Sequence, residues 1–445
     1  MFPTIAWLRQ QLRAIIVDKD DQGHVVKGLF AELDALQDSY DALDAFAHRL
    51  AHLPLRADWQ YVEPNALEDI WAECDPDRPA GLVGLVDLAE SAQRVQAAFL
   101  GSVCGCILGK PLECNPVLAE IRAAAESSAD WPLNEYISEN LLAALGRRHP
   151  SWVETARGRI AYVAPDDDIN YTIMGMLTLE DHGVHFTKTQ LKDEWLQHLT
   201  LAHAWGPERT TLVKAGLDAL TYDDSQPDLE EWVRVWNPGD EQCGALIRAD
   251  AYGYACPGRP ALAAELAWRD ASWTHRRTGI YGTMYVAAVI ALAQTMTDRL
   301  AIFETALKFV PRRSRFHRAV SDCLQEVGQA SDWLDGYERI HRKYAQFSHC
   351  AVYQEVGTLI NTLRFADSVG DGICKQVCQG NDTDSFGATM GSILGAYFGP
   401  DHLEARWLAP FNDQIHTFLG AFYEHSLSAL AKRMGRLPAL IASQL

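Results

Sequence analysis

The stretch GNDTDSFGATMGSILGAYFG, residues 380–399, carries the fold in its spacing. Gly387, Gly391, Gly395 and Gly399 recur every four residues and fall on one face of a helix. Each glycine inside a helix costs about 1 kcal/mol relative to alanine, so a stripe of them survives only where something packs very close. A second stripe, Gly101, Gly105 and Gly109 in GSVCGCILGKPLE (residues 101–113), lies almost 300 residues earlier. Two readings stand at this point: close helix–helix packing, or glycines crowding around a site. Helical periodicity extends through the rest of the chain. A long pattern runs from Leu82 to about Leu108, and another from Ile169 to Leu179. Alternating Val/Ile/Thr-rich segments are nearly absent, so the expected fold class is all-α.

What precedes these helices is acidic. Asp382, Asp384 and Ser385 open the 380–399 stretch, and Pro165-Asp166-Asp167-Asp168 opens the helical pattern at Ile169. One aspartate there is an ordinary N-cap, favoured by the helix dipole. Three in a row, or two flanking a threonine, repel one another unless water or a cation separates them. Glu113 ends the other glycine-striped segment. Hard oxygen donors of this kind suit Mg²⁺ or Mn²⁺ rather than zinc.

The 445 residues carry 39 Lys+Arg against 59 Asp+Glu, a formal charge of −20. That balance argues against nucleic acid and against an anionic membrane surface, both of which need a basic face. No two of the ten cysteines have C-x-x-C spacing; Cys374 and Cys378 share a helical face but read, like the rest, as small core residues. The compartment expected is reducing and cytoplasmic. The opening MFPTIAWLRQQLRAIIVDKD is amphipathic, with neither the apolar core nor the cleavage site of a signal peptide. Tyr285 to Ala293, the longest apolar run, is far short of the roughly 20 residues of a membrane span.

Between Ile5 and Leu53 apolar residues recur at three- and four-residue intervals, as in Leu29, Leu33, Leu36, Tyr40, Leu43, Phe46 and Leu50. The Pro- and Asp-rich segment Asp75-Pro-Asp-Arg-Pro79 then breaks the pattern. The division expected is a helical extension over 1–75 and a catalytic domain over 76–445.

Taken in order, GSVCGCILGKPLE, DDDINYT and GNDTDSFGATMGSILGAYFG resemble the three motifs of the ADP-ribosylglycohydrolase family. Cys243-Gly-Ala-Leu-Ile-Arg248 is similar to its central loop, and Thr274-His275 to its Thr-His pair. The resemblance spans roughly residues 95–435. It implies an orthogonal helical bundle holding two Mg²⁺ ions, with Mn²⁺ as a substitute. It also implies Asp166, Asp167, Asp168, Asp382, Asp384, Ser385 and Glu113 as metal ligands, with Asp384 as the bridge. Two positions depart from the pattern: Asp166 stands where the family has threonine, and Asn381 where it has glycine, at a place where a side chain could narrow the cleft.

The chemistry implied is hydrolysis at the anomeric carbon of a ribose, through an oxocarbenium-like transition state. Two ions about 3.5–4 Å apart would position ribose hydroxyls and water. Glu113 or Asp382 is the candidate catalytic base, with Glu113 preferred. Cys243, Gly244 and His275 are candidate substrate contacts. The loop Asn237–Gly244 is either a diphosphate cradle or an ordinary turn. Arg312, Arg313, Arg315 and Arg318 read as a solvated helix start rather than a phosphate clamp. The expected partner is an ADP-ribose-containing or other ribosyl substrate. The alternatives are a hydrolase of a nucleoside or phosphoribosyl metabolite, and a noncatalytic ADP-ribose-binding relative.

Overall fold

A computed structural model describes residues 3–220 and 227–445; the first two residues of the amphipathic opening lie outside them. Among the described residues there is no strand, only helices, loops and isolated bridges such as Val117 with Gly380. The all-α expectation holds.

At the centre lie the two glycine-striped helices, Leu88–Gly109 and Thr383–Phe398, packed backbone to backbone. A Cβ added at Gly105 would stand 2.0 Å from the Gly387 carbonyl oxygen, and one at Gly391 2.0 Å from that of Gly101. Gly395 meets the Ala97 carbonyl at 2.4 Å, and Gly109 the Thr383 carbonyl at 2.0 Å. Each of these glycines makes room for the opposite backbone, so the packing reading of the stripes is the correct one, except at Gly399, which ends the helix with a φ of 83° and meets only the Arg94 side chain. The seam also brings the segment after Gly109 beside the acidic start of the other helix.

The first of these helices begins later than its periodicity suggests. Asp87 caps it, accepting from the amides of Ala89 and Glu90, and 82–87 is loop. Leu88–Leu112 is long and apolar enough to cross a membrane, yet 89% of its most apolar window is buried within the fold. It is a core helix. So is Thr278–Ala293, every residue of which is buried, apolar around its whole circumference as an enclosed helix must be. All ten cysteines are free and eight are buried.

The N-terminal helices Ile5–Asp21, Leu29–Ala35 and Tyr40–Ala51 build their own small core, including Leu12, Ile16, Leu33, Leu43 and Leu50. Val235 joins that cluster, whereas Ile70 and Cys74 belong to the main core. Polar contacts fasten the layer. Gln22 Nε2 donates to Asp240 Oδ1 at 2.6 Å, and the Gly239 amide to Asp18 Oδ2 at 2.8 Å. Arg315, far from being solvated, is 13% exposed at its side chain and bridges Glu63 and Glu241, both at 2.8 Å. Arg313 pairs with Glu73, and Arg318 donates to the Tyr61 hydroxyl. The arginine run therefore faces the N-terminal segment, not a phosphate.

Candidate functional site

Three chain segments deliver the carboxylates. A 3-10 turn, Lys110–Leu112, continues the glycine-striped helix and ends at Glu113. Thr383 Oγ1 donates to the Gly109 carbonyl at 2.8 Å and ties that turn to the helix carrying Asp384 and Ser385. Asp166 is a true N-cap of the Asp167–His182 helix, its Oδ1 accepting from the Asp168 amide. Asp382, at the cap position of Thr383–Phe398, makes no such bond. Capping therefore explains one of the five aspartates and leaves the other four without that role.

The cavity beside them has a volume of about 500 Å³. Glu113, Asp166, Asp167, Asp382, Asp384 and Ser385 line it, with Cys243 and Gly244 opposite. Asp168 lies just beneath, 3% exposed, its Oδ2 accepting from Ser385 Oγ at 3.3 Å. All seven residues proposed as metal ligands from sequence thus converge. A larger cavity, about 830 Å³, lies between the N-terminal layer and the main body and shares only Gln242 with this one. It lacks the carboxylate cluster, so size does not locate the chemistry.

The sequence reading missed a lysine. Lys110 Nζ lies 2.6 Å from Glu113 Oε2, 2.7 Å from Asp166 Oδ2 and 2.7 Å from Asp384 Oδ2. Its side chain is 11% exposed. Burial alone would lower the lysine pKa, but Asp166, Asp384 and Glu113 hold it well above its usual range. Burial would likewise raise Asp384; Lys110 overrides it and keeps that carboxyl below the ordinary value. Asp168 and Asp382 lack such a partner, and Glu113, which does touch Lys110, is raised all the same. Burial, then Asp166 and Asp167, push Asp168 well up, and burial and Asp384 do the same to Asp382. Glu113 rises to about 8, from burial first and Asp384 second. Crowded carboxylates that resist ionisation want positive charge among them. Asp168 Oδ1 and Asp384 Oδ1 are buried without any hydrogen-bond partner, which is what an oxygen reserved for a cation looks like. The carboxylate donors fit a hard divalent ion, and Asp166 and Asp168 offer oxygens within 4.8 Å of each other and of Cys106 Sγ, a soft sulfur unsuited to that ion.

Other predicted positions fall differently. Cys243 does face the cluster, its thiol 3.5 Å from Asp382 Oδ2. His275 does not reach the cavity: it is fully buried, its Nδ1 bonded to the Thr274 hydroxyl at 2.8 Å and lying 3.5 Å from Glu208. It supports the wall from behind. Asn381, expected to narrow the cleft, adopts a left-handed φ of 61° and donates to Glu355 Oε1 instead. The loop 237–242 spends its Gly239 amide on Asp18, so it docks the N-terminal layer rather than cradling an anion.

Glu208 and Tyr171 complete the wall. Arg248, 1% exposed, holds Glu208 at 2.6 Å, Asp270 at 2.6 Å and Thr274 Oγ1 at 2.8 Å. His203 stacks on Phe418 at 3.5 Å, and both line the cavity, as does the largely exposed Trp205. Flat faces and carboxylates thus line one cavity. Only pattern in space reveals these residues, because they are single positions in unremarkable sequence.

Bundle and cleft together define an all-α protein with a hard-ligand carboxylate site. The ADP-ribosylglycohydrolase family model matches residues 87–439, and the chain belongs to that family. Among solved structures, an "ADP-ribosylglycohydrolase-related protein complex" is similar, with a TM-score of 0.50 and 19% identity. The match covers 79% of this chain and 99% of that one, a likeness of fold. No curated protein matches the chain significantly. Family membership supports a glycohydrolase.

Proposed function

We propose that the chain is a Mg²⁺-dependent hydrolase that releases ADP-ribose from an ADP-ribosylated protein or small molecule. Residues 76–445 form the catalytic domain and 1–75 a docked extension. The observation that carries this reading is the convergence of Glu113, Asp166, Asp167, Asp168, Asp382, Asp384 and Ser385 on one cavity, with buried oxygens left unpartnered. A divalent ion held by these residues would supply the positive charge that orients ribose hydroxyls and acidifies a water.

The chain's own groups supply the rest. Glu113 is the most open of the cluster, 37% exposed at its side chain, and stands where an attacking water can give up a proton. Asp382, 7% exposed, is the second candidate and lies deeper. The surrounding carboxylates offset positive charge developing on the ribose ring. His203, Phe418 and Trp205 offer flat surfaces at the rim for a base or a leaving group.

The test is release of free ADP-ribose from Arg- and Ser-modified proteins, with and without chelator, alongside a panel of nucleosides and phosphoribosyl metabolites. Chelator-sensitive release is expected. Release indifferent to chelator, or none from any ADP-ribosylated acceptor, would overturn the reading; turnover of a metabolite alone would move the substrate to another ribosyl compound.

A further inference from the structure

We infer that Lys110 is a resident cation occupying one of the two positive positions in the cleft, so that the chain binds one divalent ion and not two. The inference rests on the metal-dependent reading above.

The ammonium lies 2.6, 2.7 and 2.7 Å from three carboxylate oxygens and donates a hydrogen bond to that of Asp384. Those oxygens belong to Glu113, Asp166 and Asp384, which come from three separate segments. An ion drawing on the same oxygens at about 2.0–2.1 Å would need the space Nζ fills. Two cations cannot share that point: at such range like charges repel strongly, the more so in a buried site. The backbone that carries the lysine is fixed in place. Its turn is clamped by the Thr383-to-Gly109 hydrogen bond, begins where the helices touch at Gly109, and is stiffened by Pro111.

One position remains open. Asp168 Oδ1 and Asp384 Oδ1, both on residues less than 4% exposed, carry no partner, and Ser385 Oγ stands beside Asp168 at 3.3 Å. Asp384 therefore joins the two positions, giving Oδ2 to Lys110 and leaving Oδ1 for the ion. Asp166 fits the same scheme, since a carboxylate rather than a hydroxyl there meets the lysine's charge.

Mn²⁺ serves as the probe on the full chain. Isothermal titration is expected to give one ion per wild-type chain and two per Lys110→Met chain. Electron paramagnetic resonance of the saturated wild type should be that of an isolated ion, without the exchange coupling of a close pair. That measurement needs no variant, so it decides the matter even if Lys110→Met fails to fold. Two coupled ions in the wild type would overturn the inference while leaving the metal-dependent reading intact. No Mn²⁺ bound by wild type or variant would overturn both.

Discussion

Replacing Gly105 by alanine tests the helix seam on which the cleft depends. A methyl group there would sit 2.0 Å from the Gly387 carbonyl oxygen and 2.5 Å from its carbon, both rigid backbone atoms. Ordinary contact begins near 3.4 Å, so the helices must part by about 1.4 Å. A gap of even 0.5–1 Å forfeits a quarter to a half of each contact's roughly 0.1–0.2 kcal/mol. Over some tens of atom pairs along the seam this amounts to about 3 kcal/mol. The alanine returns about 1 kcal/mol through helix propensity. A net loss of about 2 kcal/mol remains, within the range for overpacked interiors.

The matched control is Gly216→Ala, near the end of the Gly206–Asp218 helix. No atom lies within 4 Å of its added methyl group and its φ is not positive, so the variant should gain up to about 1 kcal/mol. Urea unfolding followed by far-ultraviolet circular dichroism measures both. A Gly105→Ala protein more stable than the wild type by about 1 kcal/mol, as propensity alone predicts, would refute the close approach.

Three further outcomes are expected. His24 is 6% exposed, its Nδ1 2.7 Å from the Leu53 carbonyl and its Nε2 accepting from Arg277 at 3.0 Å; burial, then Arg277, lower its pKa to about 4. The unfolded chain therefore binds the extra proton first, so stability is lost as pH falls from about 6.5 toward 4, by up to about 3 kcal/mol. Unfolding across pH should show this slope in the wild type and not in His24→Gln; equal slopes would remove the assignment. Arg315→Ala leaves Glu63 and Glu241 buried without their guanidinium and should cost about 3–5 kcal/mol, with easier proteolysis of the N-terminal layer; a loss below 1 kcal/mol would contradict the docking role. Arg248→Lys cannot reproduce the fork joining Glu208, Asp270 and Thr274, and should destabilise by about 2–4 kcal/mol; thermal unfolding at the wild-type temperature would argue against the network.

Much of the bundle was legible in the chain because its rules are local. Glycines four apart and aspartates before apolar runs are periodic signals, and both led to the right helices. The glycine stripes were ambiguous between packing and site because a helix face does not say what covers it. Lys110 escaped notice for a related reason. It stands three residues before Glu113, but Asp166 lies 56 positions further on and Asp384 lies 274, so nothing in the order of residues sets their 2.7 Å meeting. His275 and Asn381 erred oppositely: motif position fixed their neighbourhood, while backbone geometry decided which side of the wall each side chain took.

The N-terminal layer gains a physical connection to the cleft through one loop. Asp18 takes the Gly239 amide and Gln22 donates to Asp240, while the Asp240 carbonyl accepts from the Arg276 amide at 2.7 Å. Two residues beyond Glu241 the same strand of chain reaches Cys243, whose thiol faces Asp382, and Gly244, whose carbonyl accepts from Arg248. The extension thus fixes one end of a short segment whose other end forms the cleft wall. Part of the charge of −20 acquires a place in this scheme. Lys110 draws together the carboxylates of Glu113, Asp166 and Asp384, while Asp18, Glu63, Asp240 and Glu241 serve the docking of the layer tied to this wall.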